Sequence, residues 1–349
     1  MKRLAQLSSL AIFFLLFLGS RISAQTSQPV LVMWWNVENL FDVRDDPGVN
    51  DTEFTPGSDK HWTPNRLEHK LQGITRVIAS INHHNGPDLL GMAEVENKGI
   101  VERWLHEYMD GFHYNVMYHN SPDQRGIDVA LVYRATKFTP VGVHGHRVDL
   151  GPGHRPTRDV TVYSLASDGD TLDCILVHWP SRSGGKEQSE PNRIAAAKVT
   201  AGAVDSLYRI RKNDDILIMG DFNDEPTDTS VTGFLHAQGM PPDSVAQDSG
   251  VPYLYDAMLT INADQSQGTY YYRGHWDTLD QFILGKGLFD QKGFGVPHPE
   301  AKVFALSFMK EQSGKYKGAP FRTYVGNKYL GGTSDHFPIT LEINHYTTQ

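Results

Sequence analysis

A chain of 349 residues with 39% hydrophobic and 21% charged residues has the composition of a folded globular protein, which excludes disordered, collagenous and disulfide-scaffold classes. Its formal charge of −9 excludes a protein that grips nucleic acid mainly through its overall field, although a local basic patch remains compatible with it. The single cysteine, Cys174, makes an intramolecular disulfide impossible and, within the apolar run 172–177, reads as a small core residue rather than a nucleophile.

In chain order, Lys2 and Arg3 precede an apolar run over 10–18 and the small residues Ser23 and Ala24. The run is too short to span a bilayer, and the pattern predicts a secretory signal over 1–24, cleaved after Ala24. The expected product is a secreted or periplasmic domain over 25–349. Losing Lys2, Arg3 and Arg21 makes it more acidic still, and no later stretch is long enough to cross a membrane.

Strand-like runs follow at 30–35, 88–92, 128–133, 159–165, 172–177, 215–219, 279–284 and 339–343. Thr63 and Pro64 open a helix with Leu67, Leu71, Ile74, Ile78 and Ile81 on one face, and an alanine-rich helix is expected over 191–210, opened by Pro191. The stretches 42–61 and 224–253 are long, irregular and rich in Gly, Pro, Asp and Ser, as binding loops often are. The alternation of the two periods predicts a mixed α/β fold in one domain.

Polar residues gather where these runs end. Asn36 and Glu38 follow the first strand, Glu94 the second, and His178 closes the strand of Cys174. Asp221 and Asn223 follow 215–219, Asp280 lies in a strand, and Asp335-His336 precedes the last one. Strands of one sheet present their ends together, so a shared edge would collect these groups. Carboxylate and amide oxygens suit a hard cation such as Mg²⁺ or Mn²⁺, with Ca²⁺ also compatible. Histidines among them suit acid–base work or stabilisation of a phosphoryl group. Walker, G-x-S-x-G, Cys-x-x-Cys and H-E-x-x-H motifs are absent.

The ordered series Trp35-Asn36-Val37-Glu38, Ala93-Glu94-Val95-Glu96, Gly126 to Tyr133, Val177 to Gly185, Gly220-Asp221-Phe222-Asn223, Leu279-Asp280-Gln281-Phe282 and Ser334-Asp335-His336-Phe337-Pro338 resembles the endonuclease/exonuclease/phosphatase superfamily of pancreatic-type deoxyribonucleases and abasic-site endonucleases. The resemblance covers essentially all of 25–349. It implies a four-layer α/β/β/α sandwich with the site where the two sheets meet. It also implies Glu94 as principal metal ligand, with Asn36, Glu38 and Asp335 beside it, and His178 near the phosphate. Asp221 and Asn223 would orient water and substrate, and Asp280 would pair with His336. One of Arg155 and Arg158 would contact phosphate together with Asn36.

Other polar clusters read as structural or solvated. Asp123, Asp128 and the Asp42, Asp45, Asp46, Asp51 group lack EF-hand spacing and read as loop charges. His83-His84 and His144-Gly145-His146 read as surface histidines, and Tyr270, Tyr271, Tyr272 and Trp276 as half-buried strand aromatics. The expected activity is that of a monomeric, metal-dependent nuclease of low sequence specificity. A phosphodiesterase or phosphatase acting on a small or lipid phosphate is the alternative.

Overall fold

The structure is a computed structural model that describes residues 25–211, 215–239 and 252–348. The expected signal over 1–24 and the centre of the 224–253 stretch lie outside the described residues. The strand runs hold apolar residues at successive positions because both faces of most strands are buried.

One sheet runs Gly293–Gly295 (β14), Ile339–Thr348 (β18), Gln25–Leu40 (β1), Leu89–Val95 (β2), Asp128–Arg134 (β4) and Tyr114–Tyr118 (β3), with Lys302–Val303 (β15) also beside β18. The other runs Thr139–His146 (β5), Val160–Ser167 (β6), Asp170–His178 (β7), Ile216–Asp221 (β8), Asp280–Gly285 (β13), Leu254–Asp256 (β10) and Ala237–Gln238 (β9). Two small hairpins stand apart: Tyr270–Tyr272 (β11) with His275–Asp277 (β12), and Tyr324–Val325 (β16) with Lys328–Tyr329 (β17).

Three apolar clusters show how the layers stack. Val32 and Trp34 of β1, Leu131 of β4, Leu172, Cys174 and Leu176 of β7, Leu217 and Met219 of β8 and Phe282 of β13 fill the space between the sheets. The odd-numbered neighbours on β1, Met33 and Trp35, point the other way onto Pro64–Ile78 (α1) and Lys98–Tyr108 (α2). Ile175, Val177, Ile216, Ile218 and Ile283 face Lys186–Arg211 (α3) from the far sheet. Period-two alternation thus sorts each strand between two cores. The result is the expected four-layer α/β/β/α sandwich, and the Cys174 thiol is buried in its central seam.

The observed elements go beyond the expected ones: β3, β5, β9, β10, β14 to β17 and α2 match no expected run, α1 ends at Ile78 short of Ile81, and the alanine-rich helix starts early. No run was expected for α2, whose start Asn97 caps by accepting from the Ile100 N–H at 2.9 Å. The second expected helix begins at Lys186, five residues before Pro191, which lies inside it. Proline costs one backbone hydrogen bond there. Fully buried Arg193 secures that first turn, donating to the Lys186 carbonyl at 2.7 Å and to Ser189 Oγ at 2.6 Å, while pairing with Asp224 at 2.6 Å.

Strand direction decides where the polar residues go. β1 and β2 are parallel, as are β7 and β8, while β13 and β18 run antiparallel to their neighbours. The C-terminal ends of four strands and the N-terminal ends of two others therefore meet at one edge. Within the seam, Gly91 leaves room for its neighbours: a Cβ there would sit 2.7 Å from the Trp34 ring and 2.9 Å from Met219 Sδ. Gly91→Ala is expected to lower the unfolding free energy by about 1–3 kcal/mol through overpacking, read as a reduced urea midpoint at unchanged m-value. A wild-type midpoint would mean the seam is looser than described.

Candidate active site

Strand register builds the site. His178 pairs in register with Asp221, and Asp221 with Asp280, so these three stand in a row across β7, β8 and β13. Each continues the inward parity of its strand, from Leu176, Met219 and Phe282. Asn36 likewise follows Trp34 on β1. Glu94 breaks the rule: β2 carries a register shift between Ala93 and Val95, and Glu94 has φ 62°. That bulge turns toward the cavity a side chain that strict alternation would send outward. Glu38, Asn39 and Asn223 also have positive φ (53°, 54° and 49°), strain that concentrates at this edge.

The side chains converge on a cavity of about 360 Å³. Asn36 Nδ2 donates to Asp221 Oδ2 at 3.0 Å and reaches Glu94 Oε1 at 3.4 Å. Glu94 Oε2 accepts from the Asn39 N–H at 2.8 Å. His178 Nε2 lies 3.7 Å from Asp221 Oδ2 and 4.0 Å from Glu94 Oε1, and His336 Nε2 lies 3.8 Å from Asp221 Oδ2. The Asn223 backbone N–H donates to Asp221 Oδ1 at 2.9 Å, while its side chain donates to the Trp179 carbonyl at 3.0 Å. Asp280 Oδ2 meets His336 Nδ1 at 2.7 Å, and its Oδ1 accepts from Trp34 Nε1 at 2.8 Å. Asp335 stands at the rim, 4.0 Å from His336 and 3.9 Å from Arg322.

The two histidines are driven in opposite directions. Burial pushes the His178 imidazole well below its ordinary value, helped by the positive charges of Arg158 and Arg125, so it is neutral near pH 7. Burial would do the same to His336, but Asp280, Asp221 and Asp335 outweigh it and hold that ring well above the ordinary histidine range. Burial raises the Asp221 carboxyl to about 7, His336 opposing and Asp280 adding to the rise.

Three expected site residues lie elsewhere or act differently. The Glu38 carboxylate turns away from the cavity to accept from the Thr323 and Tyr324 N–H groups at 2.7 and 3.0 Å, so it braces the β16–β17 hairpin. Arg158 is buried, bound to Asp123 at 2.9 Å and to the carbonyls of His178 and Trp179 at 3.1 and 2.8 Å. Its guanidinium is spent on holding the end of β7 and cannot reach a phosphate. Arg155 is exposed and lines a neighbouring hollow with His154 and Asn192. The reading of Asp123 and Asp128 as loop charges is corrected likewise. Both are buried; Asp123 holds Arg158, and Asp128 accepts from Tyr118 and from the Ser121 N–H at 2.5 and 3.0 Å. His83, His84 and His144 are exposed, as expected.

The site has further members, of which sequence reasoning missed Lys70 and Arg322. The Tyr270 ring lies 4.8 Å from that of His336 and bridges to it through the backbone. Tyr270 and Tyr272 line the mouth with Arg125 and Arg182. Lys70 is buried beneath the site, donating to Thr323 Oγ1 at 2.8 Å and to the Thr333 and Glu38 carbonyls. A lysine within the apolar stripe of α1 was a visible signal for it. Arg322 sits in a segment with no regular period and gave none.

Hard oxygen donors fit a divalent cation at Glu94: its Oε1 has only the long 3.4 Å contact and faces the cavity. Asp221, Asp280 and His336 also converge within 4.8 Å. Asp280 is fully engaged and His336 is held protonated, which suits a hydrogen-bonded relay rather than a ligand set.

A family model for the endonuclease/exonuclease/phosphatase family matches residues 31–345. The chain belongs to that family. Its members are metal-dependent phosphoesterases and nucleases, so the chain is an enzyme of that kind. No curated protein sequence matches it significantly. Among solved structures, the human Nocturnin catalytic domain with bound sulfate is similar at TM-score 0.53 and 16% identity, over 93% of this chain and 98% of that one. A D. rerio TDP2 complexed with single-strand DNA product has TM-score 0.51 and 14% identity, over 90% and 99%. A family protein from Bacteroides thetaiotaomicron has TM-score 0.52 and 15% identity, over 92% and 97%. At these identities the likeness carries the fold alone.

The Asp280–His336 pair makes a checkable statement. Because His336 is raised in the folded state, the stability it contributes is full below the ordinary histidine value and is lost as pH rises through the elevated one. Asp280→Asn is expected to lower the pH at which the His336 ring loses its proton, followed by NMR of the imidazole carbons. An unmoved titration would dissociate the pair.

Proposed function

We propose that this enzyme is an exported phosphodiester hydrolase that cuts nucleic acid with little sequence preference, using Mg²⁺ or Mn²⁺. One observation carries the reading. Asn36, Glu94, His178, Asp221 and His336, with Asp280 behind, converge on one cavity at the edge of both sheets. Export rests on the signal-like residues 1–24.

Glu94 would hold the cation, with Asn36 and Asp335 at its border. When bound, the ion supplies neutralisation of phosphate charge and Lewis-acid polarisation. The remaining chemistry belongs to the chain. Asp221 faces the cavity between both histidines, positioned to orient and deprotonate the attacking water, and Asn36 and the Asn223 N–H fix its carboxylate. His336, kept cationic by Asp280, would donate from Nε2 to a phosphoryl oxygen as charge builds there. Neutral His178 presents Nε2 across the same space. Tyr272, 50% exposed and 6.3 Å from Tyr270 between ring centres, offers a stacking face for a base or sugar.

One observation favours the second reading, a small or lipid phosphodiester. Arg182 is tied to Asp277 at 3.1 Å and Asp228 at 3.4 Å, and Lys186 to Asp228 at 2.8 Å, so few cations remain to follow a long polyanion. Hydrolysis of bis-(p-nitrophenyl) phosphate, p-nitrophenyl phosphate, DNA, RNA and sphingomyelin by the mature chain separates the readings. The diester should exceed the monoester and nucleic acid should be cut with a shallow salt dependence. Sphingomyelin turnover with DNA and RNA untouched would replace the first reading with the second.

EDTA should abolish hydrolysis and Mg²⁺ or Mn²⁺ restore it; full activity in chelator would refute the metal assignment. His178→Ala and His336→Ala should each reduce kcat by about 10²-fold or more with the fold retained. Wild-type turnover in both would place the chemistry elsewhere.

A further inference from the structure

The loop after β1 carries a second group of carboxylates away from the catalytic cavity. Asp46, Asp51 and Glu96 each bring one oxygen to within 4.8 Å of the others. Asp46 is partly exposed, but Asp51 has no exposure and Glu96 only 5%, which corrects the reading of Asp51 as a solvated loop charge. Half of each buried carboxylate is accounted for. Asp51 Oδ2 accepts from the Asp46 N–H at 3.0 Å, and Glu96 Oε2 accepts from the Asp42 N–H at 2.6 Å and Asn97 Nδ2 at 3.1 Å. Their other oxygens, Asp51 Oδ1 and Glu96 Oε1, are buried and meet no donor.

Like charges press on the same spot, Asp45 on Asp51 and Asp42 on Glu96. Among the described residues no ion pair brings a lysine or arginine to Asp42, Asp45, Asp46, Asp51 or Glu96. Buried carboxylate oxygens without donors, set beside further negative charge, must either take up a proton or be matched by a cation. The donors are all oxygen, and two come from an irregular loop while the third comes from beyond the end of β2. Such a loop suits an ion that tolerates six to eight oxygens in irregular geometry, and poorly suits one that demands a strict octahedron.

We propose that Asp46, Asp51 and Glu96 form a calcium site that clamps the 42–61 loop to the end of β2. The clamp lies two residues beyond Glu94 and joins the segment leaving Asn36 to the strand that carries Glu94. It shares no ligand with the catalytic cavity and stands whatever ester is cleaved.

The test uses the mature chain freed of metal by chelator, then held in excess Mg²⁺ so that the catalytic ligands are served, and titrated with CaCl₂ under thermal unfolding and calorimetry. At a hundredfold excess over Kd, Ca²⁺ should raise Tm by about 3–6 °C. Asp51→Asn should lose that shift, and Asp46→Asn should weaken Ca²⁺ binding at least tenfold. Asp46 is partly exposed and its backbone bond to Asp51 survives substitution, so this variant reads the site even if Asp51→Asn fails to fold. Glu94→Gln should keep the shift. No Ca²⁺ shift in the wild-type chain, an unchanged shift in Asp46→Asn, or its loss in Glu94→Gln would overturn the proposal.

Discussion

Asp280 has no exposure to solvent, and its two oxygens are spent on different parts of the molecule: one takes the indole N–H of Trp34 across the sheet seam, the other the imidazole of His336. A buried carboxylate is costly unless both oxygens are satisfied and a charge opposes it. Here the partners come from the first strand and from the approach to the last, so the condition for burying Asp280 is that both ends of the chain lie against β13. Further bonds hold that approach in place. Ser334 Oγ donates to the Asn36 carbonyl at 2.6 Å and accepts from the His336 N–H at 3.0 Å, while Trp35 Nε1 donates to the His336 carbonyl at 3.0 Å. The catalytic edge is thereby fixed by the same contacts that close the sandwich.

That arrangement separates two histidines of equal chemistry into unequal charge states. His178 and His336 both approach Asp221 Oδ2, at 3.7 and 3.8 Å, and both are buried. The difference lies behind each ring. His336 has a carboxylate on Nδ1, whereas His178 Nδ1 has no partner and guanidinium groups stand nearby. One ring is cationic and the other neutral at the same pH, which gives the cavity a fixed positive donor and an uncharged one. Asp221, between them, is held near neutrality by burial.

The arginines illustrate how residue type can mislead. Arg158 carries the right charge at the right place in the motif order, but a guanidinium that donates to the backbone carbonyls at the end of β7 serves as a brace. Arg125 and Arg182 line the mouth instead, but Arg182 is already paired with Asp277 and Asp228, and Arg322 stands beside Asp335. A guanidinium's role depends on which acceptors reach it first, and those acceptors come from other strands. Glu38 follows the same logic: two backbone N–H groups from the β16–β17 hairpin claim its carboxylate before a cation could.

The sequence by itself determined eight of the strands and placed His178, Asp221 and Asp280 at or near their ends, because apolar runs and strand ends are local properties, whereas β3 and β5 and the side-by-side row of those three residues came only from strand pairing. It also marked α1, since a cap, a first-turn proline and an apolar stripe lie within one short segment. It could not decide the direction in which Glu94 points, because the bulge that reverses its parity depends on pairing with β4. Nor could it separate Asp51, buried beside Glu96, from its exposed neighbours, or Lys70 from a solvated helix lysine by any feature but its place in the stripe. Those outcomes are set by the partners that distant segments bring into contact, and a carboxylate, an ammonium or a guanidinium takes its charge state and its role from those partners.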